Sequence, residues 1–288
     1  MSTSELTLDR PATSAAPGPG LRLLRSELGL VFRRRRNIAM LAVLAAAPVL
    51  LGVILRVTST PSPGDGPPLL SQVTQSGLFL GLASMVMASP LFLPMIIAVV
   101  SGDTVAGEAQ SGTLRNLLVV PAGRTRLLLV KYASVIAYSL AAVLTVVAVG
   151  IVTGLVLFPA GEVVLLSGSA VPLSEALVRA AVIVLYMAAM IASLGAIGLF
   201  FSTLTEVPVG AMAATVTVGI VSQILDAIPQ LSAIHELLPT HWWLSFIDLL
   251  REPVAFGDMS SGLLVAGAYI AVFGALAWAR FTTRDITA

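Results

Sequence analysis

Residues 101–131 read SGDTVAGEAQSGTLRNLLVVPAGRTRLLLVK, and the placement of this stretch decides the fold. It holds the chain's only lysine, Lys131, together with Arg115, Arg124, Arg126 and the carboxylates Asp103 and Glu108. The sequence on either side is strongly apolar. A charged island of this kind between two greasy segments is expected outside the hydrocarbon of a bilayer, as a loop joining two membrane spans.

The whole chain supports that frame. With 57% hydrophobic residues, 11% charged residues and a mean hydropathy of +0.97, it lies outside the range of soluble globular domains. It reads as an integral membrane protein. Cysteine is absent, which removes disulfides, thiol chemistry and cysteine metal sites. The formal net charge of +1 says little until the charges are placed along the chain.

Roughly 20 apolar helical residues cross a bilayer core, because only an internally hydrogen-bonded helix can bury its backbone in lipid. Six segments fit: Ile38 to Val57, Leu78 to Val100, Tyr132 to Phe158, Leu177 to Phe201, Val209 to Leu225 and Ser261 to Trp278. The fifth is short and polar, with Thr215, Thr217, Ser222 and Gln223. The expected fold class is therefore an all-α integral membrane protein with six transmembrane helices.

Arginine and lysine set the orientation, since basic residues near span ends are retained in the cytoplasm. Arg10, Arg22, Arg25 and Arg33 to Arg36 precede the first span; Arg115, Arg124, Arg126 and Lys131 lie in 101–131; Arg280 and Arg284 follow the last span. These place both termini in the cytoplasm, as an even number of spans requires. Arg56, Arg179 and Arg251 fall on the other side, the first two close enough to helix ends to snorkel to the headgroups.

The N-terminal segment resembles no secretory signal, because the first apolar span is long, distant from Met1 and without a clear cleavage site. In LRLLRSELGLVFRRRR, residues 21–36, Leu21, Leu24, Leu28, Val31 and Phe32 share one helical face and Arg22, Ser26, Gly29 and Arg33 the opposite one. An interfacial amphipathic helix is expected. Leu23 and Leu30 interrupt the polar face, so an unstructured polybasic anchor is the alternative.

Within the quoted stretch, Leu114, Leu117 and Leu118 have i, i+3, i+4 spacing, with Ser111 and Thr113 as caps and Pro121 as a stop. A short amphipathic helix is expected outside the membrane. Glu108 and Arg115 can face each other, or pair with neighbouring segments if the chain bends at Gly112. Spacing alone leaves open whether the helix merely seals a loop or docks a partner.

The run Gly107-Glu108, Ser111-Gly112-Thr113-Leu114-Arg115, Leu117-Leu118, Pro121, Arg124 and Lys131 resembles the signature of type-2 ABC transporter permeases, placed between the second and third of six spans. The amphipathic helix before the first span, the segment LGAIGLFFSTLTEVPVGAMA and the longer insertion before the last span are similar too. The resemblance implies a type-V ABC exporter-like fold, in which two permeases, identical or sister chains, pair and rest on ATPase subunits. It makes Glu108, Gly112, Thr113, Leu114, Arg115, Leu117, Leu118 and Arg124 ATPase-coupling residues. Glu108 and Arg115 would belong to a polar cluster between coupling and interfacial helices, and Gly112 and Thr113 would form the tight start of the coupling helix. Arg124 and Lys131 would hold the start of span three at the headgroups. Ala109, Gln110 and Asn116 leave the docking surface more neutral than is usual in the family.

The expected organisation is a disordered tail over 1–20, an interfacial helix over 21–36, a transmembrane domain over 37–281 and a cytoplasmic tail over 282–288. The domain includes the coupling loop 101–131 and an extracellular insertion over 226–260. A phosphate-binding Walker loop needs Gly-Lys followed by Ser or Thr, and Lys131 follows Val130. ATP is thus expected to be used by a separately encoded ATPase subunit, with no cofactor bound by this chain.

Other chemistry is sparse. His235 and His241 lie near Glu236 and Asp248, but their spacing fits no standard zinc pattern and no third ligand converges in the sequence. No catalytic, cofactor or metal site is assigned. Trp242 and Trp243 suit an aromatic belt, in an insertion that folds back as short helices. Pro90 and Pro94 are expected to bend span two, and with Thr215, Thr217 and Gln223 are candidates for a translocation path. Gly195 and Gly198 allow close helix approach in span four.

The expected function is the permease subunit of an ATP-driven exporter in the cell membrane, moving a hydrophobic or amphipathic substrate such as a drug, antibiotic or lipid, as in multidrug efflux. Its partners are an ABC ATPase, a second permease and the lipid bilayer, with no nucleic acid. The alternative is a polytopic membrane enzyme acting on a lipid or lipophilic substrate, which would need convergent acid, base or nucleophile groups near the outer histidines.

Overall fold

A computed structural model describes residues 19–58, 73, 76–112, 123–158 and 163–283. Nine helices are labelled here: α1 (Pro19–Arg33), α2 (Arg35–Thr58), α3 (Phe79–Ala88), α4 (Phe92–Gln110), α5 (Arg124–Leu157), α6 (Leu173–Leu204), α7 (Pro208–Asp226), the single turn α8 (Ser232–His235) and α9 (Gly257–Thr283). A two-stranded antiparallel hairpin, β1 (Val163–Val164) with β2 (Ala170–Val171), follows α5. Six of the helices, α2, α4, α5, α6, α7 and α9, are long and apolar enough to cross a membrane. The chain is an all-α, multi-pass membrane protein with one minimal hairpin.

α6 is the hub. In its most apolar window 78% of residues are buried, against 17% in α2 and α9, so the first and last spans present their apolar sides outward. Ile54, Leu264 and Val272 are among the exposed side chains there. That distribution suits helices solvated by lipid, where exposed apolar surface carries no penalty.

Four glycines bring α5 against the start of the second span. A Cβ on Gly77 or Gly81 would strike the backbone of the α5 segment containing Gly150 and Gly154, and the converse holds. Gly150 and Gly154 are spaced i, i+4 and so lie on one face of α5, against Gly77 in the turn before α3 and Gly81 within it, and the backbones can touch. Gly198 of α6 likewise leaves room for Ser101 of α4, in agreement with the close approach expected from its small side chain.

The second span departs from a single bent helix. It breaks at residues 89–91 into α3 and α4, and the bend belongs to Pro90 alone. Pro94 sits in the first turn of α4, where a missing N–H costs no helical bond. The helix then continues past Val100 to Gln110, and α5 starts at Arg124, so much of 101–131 is helix rather than loop. Ser111 N–H bonds to Gly107 O at 3.1 Å and Gly112 N–H to Ala109 O at 3.1 Å, with Gly112 at φ +70°. This left-handed residue closes α4, a conformation that glycine adopts without a Cβ clash.

The insertion before α9 covers one end of the bundle. It contains a 3₁₀ turn (Pro229–Leu231), α8 and a longer 3₁₀ helix (His241–Leu250) that buries Trp243, Phe246, Leu249 and Leu250. Trp243 is thus part of the core rather than a boundary residue, while Trp242 donates its Nε1–H to Glu236 O at 3.0 Å. Arg179 does not snorkel. Its guanidinium pairs with Glu175 at 2.5 Å and donates to Leu249 O at 2.8 Å, fastening the 3₁₀ helix to α6.

Candidate functional site

Among the described residues, buried charges gather where α1, α4 and α5 meet, at the end of the bundle that holds Gly112 and Gly123, the residues on either side of 113–122. Those residues include Thr113, Leu114, Arg115, Leu117 and Leu118 and lie outside the described residues. Their two anchors are described: Gly112 ends α4, and Gly123 precedes α5.

Lys131, seven residues after the first residue of α5, is 1% exposed. Its Nζ lies 2.5 Å from Glu108 Oε1 of α4 and 3.6 Å from Glu27 Oε2 of α1. The resemblance to the family implies a lysine at the headgroups. Lys131 is instead held inward because two carboxylates from two other helices replace the water that its ammonium loses. Glu27 follows from the face that α1 turns to the bundle, where it is buried together with Val31 one turn later. A carboxylate on the apolar stripe of an amphipathic helix was a legible signal for a buried cation nearby, and the sequence holds a single lysine.

A second ionic contact lies beside the first. Asp103 Oδ2 accepts from Arg36 Nη2 at 3.0 Å and from Arg34 Nη1. Arg34 is the non-helical residue between α1 and α2, so the corner itself is bound to α4. The Gly107-Glu108 pair gains a physical reason here: Gly107 sits one turn after Asp103, and a Cβ on it would come within 2.6 Å of Asp103 Oδ1. The corner is closed further by Asn37 Nδ2 donating to Val31 O at 2.8 Å and Tyr138 Oη donating to Asn37 O at 2.8 Å.

The remaining helices are linked to the same end. Ser202 of α6 donates its hydroxyl to Gly102 O at 2.7 Å and accepts from the N–H groups of Val105 and Ala106 at 3.0 and 2.9 Å. One buried hydroxyl thereby grips a full turn of α4. Arg124 reaches across to α9, donating to Thr282 O at 2.8 Å, and Trp278 Nε1 donates to Thr125 Oγ1 at 2.9 Å. Glu108, Gly112 and Arg124 are therefore gathered at one end, although Arg124 faces α9 rather than the headgroups.

The residues proposed from sequence for a path do not form one surface. Thr215 is fully buried and donates to Ala211 O in its own helix at 2.7 Å. Pro94 is buried, whereas Pro90 and Thr217 are exposed. Gln223 Nε2 donates to Pro90 O at 2.8 Å, meeting a carbonyl at the break between α3 and α4. Thr217 lies six residues before Gln223 and hence on another side of α7. At the far end, the sequence neighbours Glu236 and Asp248 are not what approaches the histidines; Asp226 is, with Oδ1 2.6 Å from His241 Nδ1.

The architecture is a polytopic helical bundle in which α1 is ion-paired to α5, and the corner between α1 and α2 to α4. Comparison with known families identifies it more closely. The pattern of the ABC-2 family transporter protein matches residues 32–225, more than half of the chain. The chain belongs to that family: it is a permease subunit of an ABC transporter, resident in the cell membrane, and such permeases work with an ABC ATPase subunit. No curated protein matches it.

Proposed function

We propose that this permease is the membrane half of an exporter for a hydrophobic or amphipathic substrate, driven by a separately encoded ATPase that docks on residues 113–122. The observation that carries the reading is the buried Glu27–Lys131–Glu108 cluster. A force applied to the connection acts directly on α4 and α5. Lys131 and Arg34 pass the displacement to α1, and Ser202 passes it to the central α6. Packed interiors shift between discrete arrangements instead of deforming continuously, so this ionic corner converts a push from outside into a helix rearrangement.

ATP binding belongs to the partner in this reading, since the only lysine of the chain is engaged with two carboxylates and is preceded by no glycine-rich loop. The exposed apolar sides of α2 and α9 accommodate lipid or a second permease copy. The proline-induced break, with Gln223 on its carbonyl, is the element of the second span best suited to open a path. Outward transport follows the tendency of the resembled family.

The test is to co-purify the chain with its ATPase, reconstitute both in vesicles and compare wild type with Glu108→Gln. Hydrolysis is expected to continue while transport of a lipophilic dye into or out of the vesicle falls by about tenfold or more, equivalent to roughly 1.4 kcal/mol of coupling. Equal losses of hydrolysis and transport, or no binding of any ATPase to the wild-type chain, would refute the reading.

A further inference from the structure

We infer that Asp226, His235 and His241 form a binding site for a zinc-class divalent cation at the end of the bundle opposite Lys131. Asp226 is the last residue of α7, His235 the last of α8, and His241 the first of the long 3₁₀ helix. Their ligand atoms all lie within 4.8 Å of one another. Asp226 Oδ1 is 2.6 Å from His241 Nδ1 and 3.9 Å from His235 Nδ1. Tetrahedral zinc with bonds of about 2.0–2.1 Å sets its ligand atoms about 3.3 Å apart, a value that the two distances straddle.

The proton positions favour a metal. His235 Nε2 lies 3.0 Å from Ile228 O, and a carbonyl can only accept, so Nε2 carries a hydrogen and, in the neutral ring, Nδ1 presents a lone pair. That lone pair and the Asp226 carboxylate, both electron-rich, face each other with room for a cation between them. An imidazole whose other nitrogen is held by a backbone carbonyl is the usual arrangement of a metal ligand. The 2.6 Å contact between His241 Nδ1 and Asp226 is a hydrogen bond; zinc would take its place on Nδ1 with the ring in its Nε2–H tautomer, the Nδ1 proton leaving to solvent and Nε2 taking one up.

The setting adds to this. Asp226 ends a 19-residue helix, whose C-terminal dipole attracts positive charge. The loop carrying the histidines is braced by the Ser222–Thr240 hydrogen bond at 2.6 Å and by Tyr269 Oη donating to Leu237 O at 3.0 Å. The three side chains are 16–30% exposed, which admits an ion from solvent. Two imidazoles and one carboxylate suit zinc, cobalt, nickel or copper rather than calcium or magnesium. Three protein ligands leave a fourth position for water. The bound ion would tie the insertion to the end of α7.

The experiment uses the full chain without a polyhistidine tag, in detergent, stripped with a chelator and titrated with zinc chloride or cobalt chloride alone. One equivalent per chain is expected, with the visible absorption of a low-symmetry cobalt site and a zinc-dependent rise in the thermal midpoint. Asp226→Asn and His241→Ala are each expected to weaken zinc binding by about 100-fold. The chain contains only two histidines, so diethyl pyrocarbonate modification reports on this site without any variant. Zinc should protect both rings. Absence of stoichiometric binding, modification rates unchanged by zinc, or affinity retained in a folded His235→Ala/His241→Ala variant would each overturn the site.

Discussion

The two ends of the bundle are held together by different kinds of contact. At the Lys131 end, three helices meet through charges that are nearly all withdrawn from solvent: the side chains of Lys131, Glu27 and Glu108 are 2%, 8% and 11% exposed. At the insertion end, Arg179 is equally buried at 11%, but its carboxylate partner Glu175 is 44% exposed, and its other bonds go to backbone carbonyls. The difference lies in what is left behind when one member is removed. Glu175 can return to water, whereas Glu27 and Glu108 cannot. An ionic corner of the first kind requires all its members at once, which makes it responsive to displacement; one of the second kind is a fastening.

The largest expected effect breaks that contrast directly. Lys131→Met removes the ammonium from between two buried carboxylates and should destabilise the chain by about 3–5 kcal/mol, read as a lowered unfolding midpoint in detergent. Adding Glu108→Gln to it should recover part of the loss, and the non-additivity of the cycle measures the coupling between α4 and α5. A cost for Lys131→Met no larger than that for Arg179→Met would remove the distinction between the ends.

Arg179→Met comes next, with an expected cost of about 1.5–3 kcal/mol for a hydrogen bond from a charged donor to Leu249 O. Because the insertion then loses its fastening to α6, proteolysis between residues 226 and 256 should accelerate while ATPase coupling is preserved. The smallest effect should come from Gln223→Leu, about 1 kcal/mol for one bond to Pro90 O that lipid-facing or solvent groups partly replace. A change in transport much larger than its change in stability would mark the α3–α4 break as part of the path.

The six spans were legible because hydropathy reports on the solvent that a whole helix requires. All six expected segments correspond to spanning helices, and the fifth, Pro208–Asp226, is regular despite its polar residues, since Thr215 bonds within its own helix and Ser222 bonds Thr240 of the insertion. The end of the second span was misplaced at Val100. Ser101, Asp103 and Thr104 read as polar loop, yet they stay helical because Arg36 meets the Asp103 carboxylate and the hydroxyls of Ser101 and Thr104 donate to the carbonyls of Ile97 and Ser101. The β1–β2 hairpin left no periodic signal in two-residue strands. Of the residues gathered at the Lys131 end, Glu108, Gly112, Arg124 and Lys131 stand out in the sequence by their pattern. Glu27 does not, and the inward course of Lys131 is not legible either, because charge reads as a mark of the surface, which is true only of charges without a partner.

The sequence by itself determined that the chain crosses a membrane through helices and that charges gather where its second span leads into its third. Both follow from the cost of exposing backbone or unpaired charge to hydrocarbon, a cost counted residue by residue. Only the tertiary structure decided which carboxylates receive Lys131, and that Asp226, rather than Glu236 or Asp248, stands beside the two histidines. Partners of buried polar groups are selected by proximity in space, and proximity arises when helices distant in sequence pack face to face.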